Sequence, residues 1–100
     1  MIKHIVMWKL QEHAHGNDRA TNARLIKEKL ESLNGRIPGL QAIEVGLDIS
    51  AQPSSADVVL YTEFVDAQAL RVYQEHPLHL AIVPFVAEAA SERRLVDYAA

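Results

Sequence analysis

Between Ile2 and Leu10 the even positions Ile2, His4, Val6, Trp8 and Leu10 fall on one side of an extended chain, and Lys3, Ile5, Met7 and Lys9 fall on the other. This alternation predicts a first strand with a use for both faces. Gln11 to Asn17 is polar and predicts a flexible loop, after which Asp18 supplies a carboxylate suited to capping a helix that starts near Asp18 or Arg19. Ala23, Ile26, Leu30 and Leu33 then recur at spacings of three and four, the signature of one apolar helix stripe, and Asn34-Gly35 offers a left-handed stop.

After Ile37-Pro38-Gly39 the odd positions Ile43, Val45, Leu47 and Ile49 alternate with Ala42, Glu44, Gly46 and Asp48, which predicts a second strand. Ala51 to Ser55 reads as a turn, and Asp57 to Phe64 is rich in branched and aromatic residues, so strands two and three form a hairpin. Asp66 can cap a short helix whose inward residues are Leu70 and Tyr73. That helix ends by His76, because Pro77 disfavours helical geometry in the residue before it. Pro77 suits a first helical position, and the apolar run that follows is broken or kinked at Pro84, so the last helix is bent or in two parts. Arg94 to Tyr98 reads as a short closing strand.

The order β-α-β-β-α-β in 100 residues is the ferredoxin-like, α+β plan, with helices on one face of four antiparallel strands and the whole chain, residues 1–100, as a single domain. Ile5, Met7, Val59 and Tyr61 would leave the other face apolar and wet, so a second copy of the chain is expected to cover it about a twofold axis.

Composition narrows the function classes. Hydrophobic residues make up 49% of the chain and charged residues 23%, the range of a packed globular domain. The net charge of −3 lacks the basic stripe that nucleic acid demands. Without cysteine there is no disulfide framework and no thiolate chemistry, which fits the cytoplasm. No apolar window approaches the ~20 residues of a membrane span, and no leader is expected at the N-terminus. Gly-rich phosphate loops and nucleophile elbows are missing, so nucleotide chemistry and hydrolysis find no support.

Lys3 to Leu10, Asp57 to Phe64, the element His76-Pro77-Leu78-His79 and the closing Val96-Asp97-Tyr98 together resemble the stress-responsive dimeric α/β barrel (Dabb) family over nearly the whole chain. The resemblance implies a ferredoxin-like protomer and an eight-stranded barrel built by two copies, with the helices outside. Members similar to this chain include stress-associated proteins, bacterial proteins without an assigned role, and a branch of polyketide cyclases that need neither metal nor cofactor. By motif, the cyclases' catalytic histidine and tyrosine correspond to His79 and Tyr73, and their strand-one histidine to His4. The chain departs from that branch at Val58 and near Leu30, where the cyclases carry a histidine and a tyrosine, which makes the implied pocket more apolar.

Each candidate has a structural and a functional reading. His4 is either a hydrogen-bonded core histidine or, with His79, one wall of a small cavity. Tyr73 is either a core aromatic or a proton donor paired with His79 as a catalytic couple. His76 either orients the helix junction or joins Trp8, His4, Tyr73 and His79 around a small apolar or aromatic ligand. His13, His15 and Asp18 have metal-ligand residue types but sit in a polar loop, and no metal site is expected there. Glu92-Arg93-Arg94 reads as a solvated charge cluster. The expected role is a homodimeric binding or stress-related module, with cofactor-free proton-transfer catalysis (cyclase, isomerase or lyase) as the alternative.

Overall fold

A computed structural model describes residues Met1–Ala100. It consists of β1 (Ile2–Leu10), a short hairpin of β2 (His13–Ala14) and β3 (Asn17–Asp18), α1 (Arg19–Glu31), β4 (Leu40–Leu47), β5 (Val58–Phe64), three successive helices α2 (Ala67–Glu75), α3 (Pro77–Leu80) and α4 (Val83–Ala89), and β6 (Ala90–Ala99). The four long strands form one antiparallel sheet in the order β4-β5-β1-β6, the ferredoxin-like arrangement that the patterning predicts. No helix is long and apolar enough to cross a membrane.

The period of two sorts β1 and β5 into two faces. Val6, Trp8 and Leu10 of β1 and Val58, Leu60 and Phe64 of β5 are buried with Ile26 and Leu30 of α1, Leu70 and Tyr73 of α2 and Val86 of α4 in one core. The intervening residues lie on the opposite, uncovered face. There Ile5 stands between Tyr61 and Val96, and Met7 stands between Val59 and Arg94. Met7 is 44% exposed and Val96 55%.

Local chemistry starts and stops the elements. Asp18 accepts from the Thr21 N–H at 2.8 Å and opens α1, as Asp66 does for Ala69 and α2. α1 ends at Glu31, and turns that continue beyond it lead into Gly35 at φ +75°. Gly39, at φ +81°, lets the chain enter β4 against α2. A Cβ there would lie 2.5 Å from the Ala69 Cβ.

Several expectations are corrected. Gln11 to Asn17 is not a plain loop, because His15 (φ 56°) and Gly16 (φ 73°) make a tight two-residue turn that folds β2 onto β3. Buried Asn22 holds this hairpin to α1, donating to the Ala14 carbonyl and accepting from Asn17. β4 stops at Leu47, and Ile49 is 99% exposed because the Asp48 carboxylate gathers Ser50 and Ala51 into a turn. The last helix is in two parts, α3 and α4, as expected, but not divided at Pro84. Its break falls at Ala81–Ile82, ahead of Pro84, whose missing N–H costs nothing in the first turn of α4. β6 begins at Ala90, four residues before the expected start, and pairs with β1 along its whole length.

At the outer edge of β4, α1 holds the backbone of Val45 with two side chains. Glu31 accepts from the Val45 N–H at 3.0 Å, and Lys27 donates to the Val45 carbonyl and to Glu31. The Lys27 ammonium and the Val45 amide hold the Glu31 carboxyl below the usual carboxylate range.

Candidate functional site

A cavity of about 390 Å³ lies between the covered face of the sheet and the broken helical segment, and eight of its twelve lining residues are hydrophobic. Val6, Trp8 and Leu60 come from the sheet, and Ile82, Val83 and Val86 from α4 and the turn before it. The polar groups that reach it are His4, Gln74, His79 and Arg93.

His4 is 4% exposed and sits directly across from Asp97 in the β1–β6 register. Its Nδ1 lies 2.5 Å from Asp97 Oδ1. A carboxylate can only accept, so Nδ1 carries a proton, and Nε2 has no protein partner. The buried Thr62 hydroxyl donates to the His4 carbonyl at 2.7 Å, fixing the backbone beneath the ring.

Tyr73 projects from α2 and is fully buried, 6.1 Å from the His4 ring centre and 4.3 Å from that of His79. Its hydroxyl has no hydrogen-bond partner, and burial pushes the phenol well above its ordinary pKa, so it remains a proton donor and never a base at neutral pH. It stands behind the cavity wall and does not line it. His79 lines the cavity from α3, with Nδ1 3.3 Å from the Gln74 carbonyl. Burial depresses the His79 pKa, opposed by that carbonyl contact and reinforced by the neighbouring His4, Arg93 and His76 charges, so the ring is neutral at pH 7.

Of the residues singled out by the sequence, His4, Trp8 and His79 meet at the cavity and Tyr73 packs between the two imidazoles. His76 does not join them. Its Nδ1 accepts from the Leu78 N–H at 3.1 Å and caps α3, where Pro77 has interrupted the helix. His13 and Asp18 are cross-strand partners in the small hairpin. His15 is stacked on Phe85 with ring centres 4.0 Å apart, and its two nitrogens face the Phe85 carbonyl and Glu88, each at 2.9 Å. Two residues of the site escaped the sequence reading, one of them outside the cavity lining. Asp97 orients His4, and Arg93 reaches the cavity while Arg94 turns to the other face. Both assignments depend on strand register, for which a single sequence carries no signal.

The Stress responsive A/B Barrel Domain (Dabb) family matches residues 2–100. An uncharacterized protein of Streptomyces coelicolor is 33% identical over 91 residues, covering 91% of this chain and 92% of that protein. A dimeric protein of unknown function and ferredoxin-like fold from Bacteroides fragilis is 33% identical with a TM-score of 0.83, covering 97% of this chain and 93% of the other. The hydroxynitrile lyase of Passiflora edulis shares the fold at 13% identity, with a TM-score of 0.80 over 97% of this chain and 90% of the enzyme. The match along the length of the chain, together with the ferredoxin-like sheet, makes this protein a member of the Dabb family.

Proposed function

We propose that this chain works as a homodimeric binding module that takes a small, largely apolar molecule in the cavity under α2, α3 and α4. The observation that carries the reading is the cavity itself: about 390 Å³, mostly hydrophobic, with His4 and His79 as its oriented polar groups. Its volume is at the low end of the ~300–1,000 Å³ of ligand pockets, so the occupant is small. The dimeric Bacteroides relative and the apolar uncovered face of the sheet support two copies per assembly.

A ligand-mixture thermal-shift screen tests this reading. A molecule bound only by the native state raises the midpoint by mass action, about 2.7 kcal/mol of stabilisation at 100 times Kd. Trp8, the only tryptophan and a cavity residue, should change its fluorescence with the same ligand. A hit that leaves Trp8 emission unchanged and binds equally to a cavity-filling Val86→Phe variant counts against the cavity.

A second reading, cofactor-free proton transfer, is favoured by the His4–Asp97 pair and the neutral His79. In this reading an imidazole removes a proton next to a carbonyl and the still-protonated Tyr73 steadies the developing oxyanion, which requires the ligand to open a path to the buried hydroxyl. The Passiflora lyase supports only the capacity of this fold to hold an enzyme. With a turned-over ligand in hand, His79→Ala should lower kcat while leaving the fold intact; unchanged turnover removes His79 from the chemistry.

A further inference from the structure

Arg93 is unlike every other residue around the cavity. The other lining groups are hydrophobic side chains, one amide and two imidazoles, with no carboxylate among them, whereas Arg93 brings a permanent positive charge from β6 to the rim. Its guanidinium makes no ion pair and no hydrogen bond within the chain. The nearest carboxylate along the same face of β6 is Asp97, four residues on, and Asp97 is occupied by His4. The Arg93 charge is felt inside the site, where it disfavours protonation of His79.

Resting on the binding reading above, we propose that the cavity selects small apolar molecules that end in a carboxylate, with the hydrocarbon body against Val6, Leu60 and Val86 and the carboxylate paired to Arg93. A guanidinium presents a planar fork of N–H donors that matches a carboxylate in a bidentate manner. An apolar pocket with one unpaired fork at its mouth therefore discriminates by charge at one end of the ligand and by fit along the rest. The neutral His79 ring can add a hydrogen bond to the same head group. Ligand amines are disfavoured by the positive charge of Arg93.

The probe pair is octanoate and octanamide, equal in length and differing in the head group, titrated at pH 7.5 against Trp8 fluorescence with calorimetry alongside. Octanoate is expected to bind at least about tenfold more tightly than octanamide, the scale of one hydrogen-bonded charge pair. In Arg93→Gln the preference should collapse while octanamide binding is unchanged, and in Arg93→Lys part of it should return. Arg93 is exposed, so its replacement leaves the core untouched, and an unaltered thermal midpoint checks this. Equal binding of the two probes to the native protein overturns carboxylate selection but leaves the binding reading standing. A preference for octanoate that survives Arg93→Gln overturns the role of Arg93. If neither probe binds and the thermal-shift screen also finds no cavity ligand, the binding reading itself falls.

Discussion

Alternate residues of the same strands build two surfaces with opposite fates. Toward the helices, Val6, Leu60 and Phe64 are almost wholly sealed, and the polar groups among them are bonded, as His4 and Thr62 are, or face the cavity, with the unpartnered Tyr73 hydroxyl as the exception. On the far side Met7, Val96 and Tyr98 remain open to solvent, although Ile5 and Tyr61 pack beside them in the sheet. The first surface is completed by the chain itself and the second is not. A residue's place in the two-residue period therefore decides whether its substitution is paid in folding or in association.

The steepest test of that contrast is Phe64→Ala. Phe64 is fully buried beside Tyr73, so its truncation should cost ~3–5 kcal/mol in urea unfolding; a cost under 1 kcal/mol would erase the distinction between the faces. Gly39→Ala comes next, at about 2 kcal/mol, because a left-handed backbone and a 2.5 Å approach to Ala69 both oppose a side chain there. This variant should lose thermal stability without changing its assembly.

A pH series sharpens the comparison within the covered face. The folded pKa of His79 is lowered by burial, so the unfolded chain takes up the proton first as pH falls. Stability is intact above the unfolded value of about 6.5, declines below it, and levels off once the folded ring is also protonated. For this half-exposed ring the slope should stay well under the ~1.4 kcal/mol per pH unit allowed for one proton. His79→Gln should flatten the decline between pH 7.5 and 5.5, and identical slopes would remove His79 as its source.

The smallest expected effect on folding comes from Val96→Glu. On the uncovered face it should change the stability of the isolated protomer by no more than ~0.5 kcal/mol. Sedimentation should nevertheless move from two copies to one. A variant that unfolds instead, or that remains paired, would show that the two surfaces are not separable.

Strong periodicity made most of the frame readable in the sequence. β1, α1, the β4–β5 hairpin and the Pro77 interruption all carry repeated apolar positions or a residue with one conformational use, and each is found where the pattern places it except for Ile49, which lies beyond the end of β4. The first residues of β6 were not readable, because Ser91 to Arg94 lie on an exposed edge strand and bury no face that could impose alternation. The β2–β3 hairpin escaped for a related reason: two residues per strand are too few for a period, and only one of the two left-handed turn positions, Gly16, is a glycine. Within the site, His4, Trp8, Tyr73 and His79 could be nominated by type and spacing. Asp97 and Arg93 could not, since their meaning arises only when β6 is laid against β1 in one register. His76 shows the converse, a residue of promising chemistry consumed by the backbone it caps.

The grip of Lys27 and Glu31 on Val45 has a consequence for how far the sheet can grow. Strand-by-strand polymerisation needs two free margins on every molecule, one to receive and one to offer. Here the middle of one margin is already filled by an ammonium and a carboxylate that imitate a neighbouring strand at Val45, whereas β6 is bare. A strand arriving at that margin has first to displace both charged groups, so a lysine and a glutamate one helical turn apart hinder growth from that side.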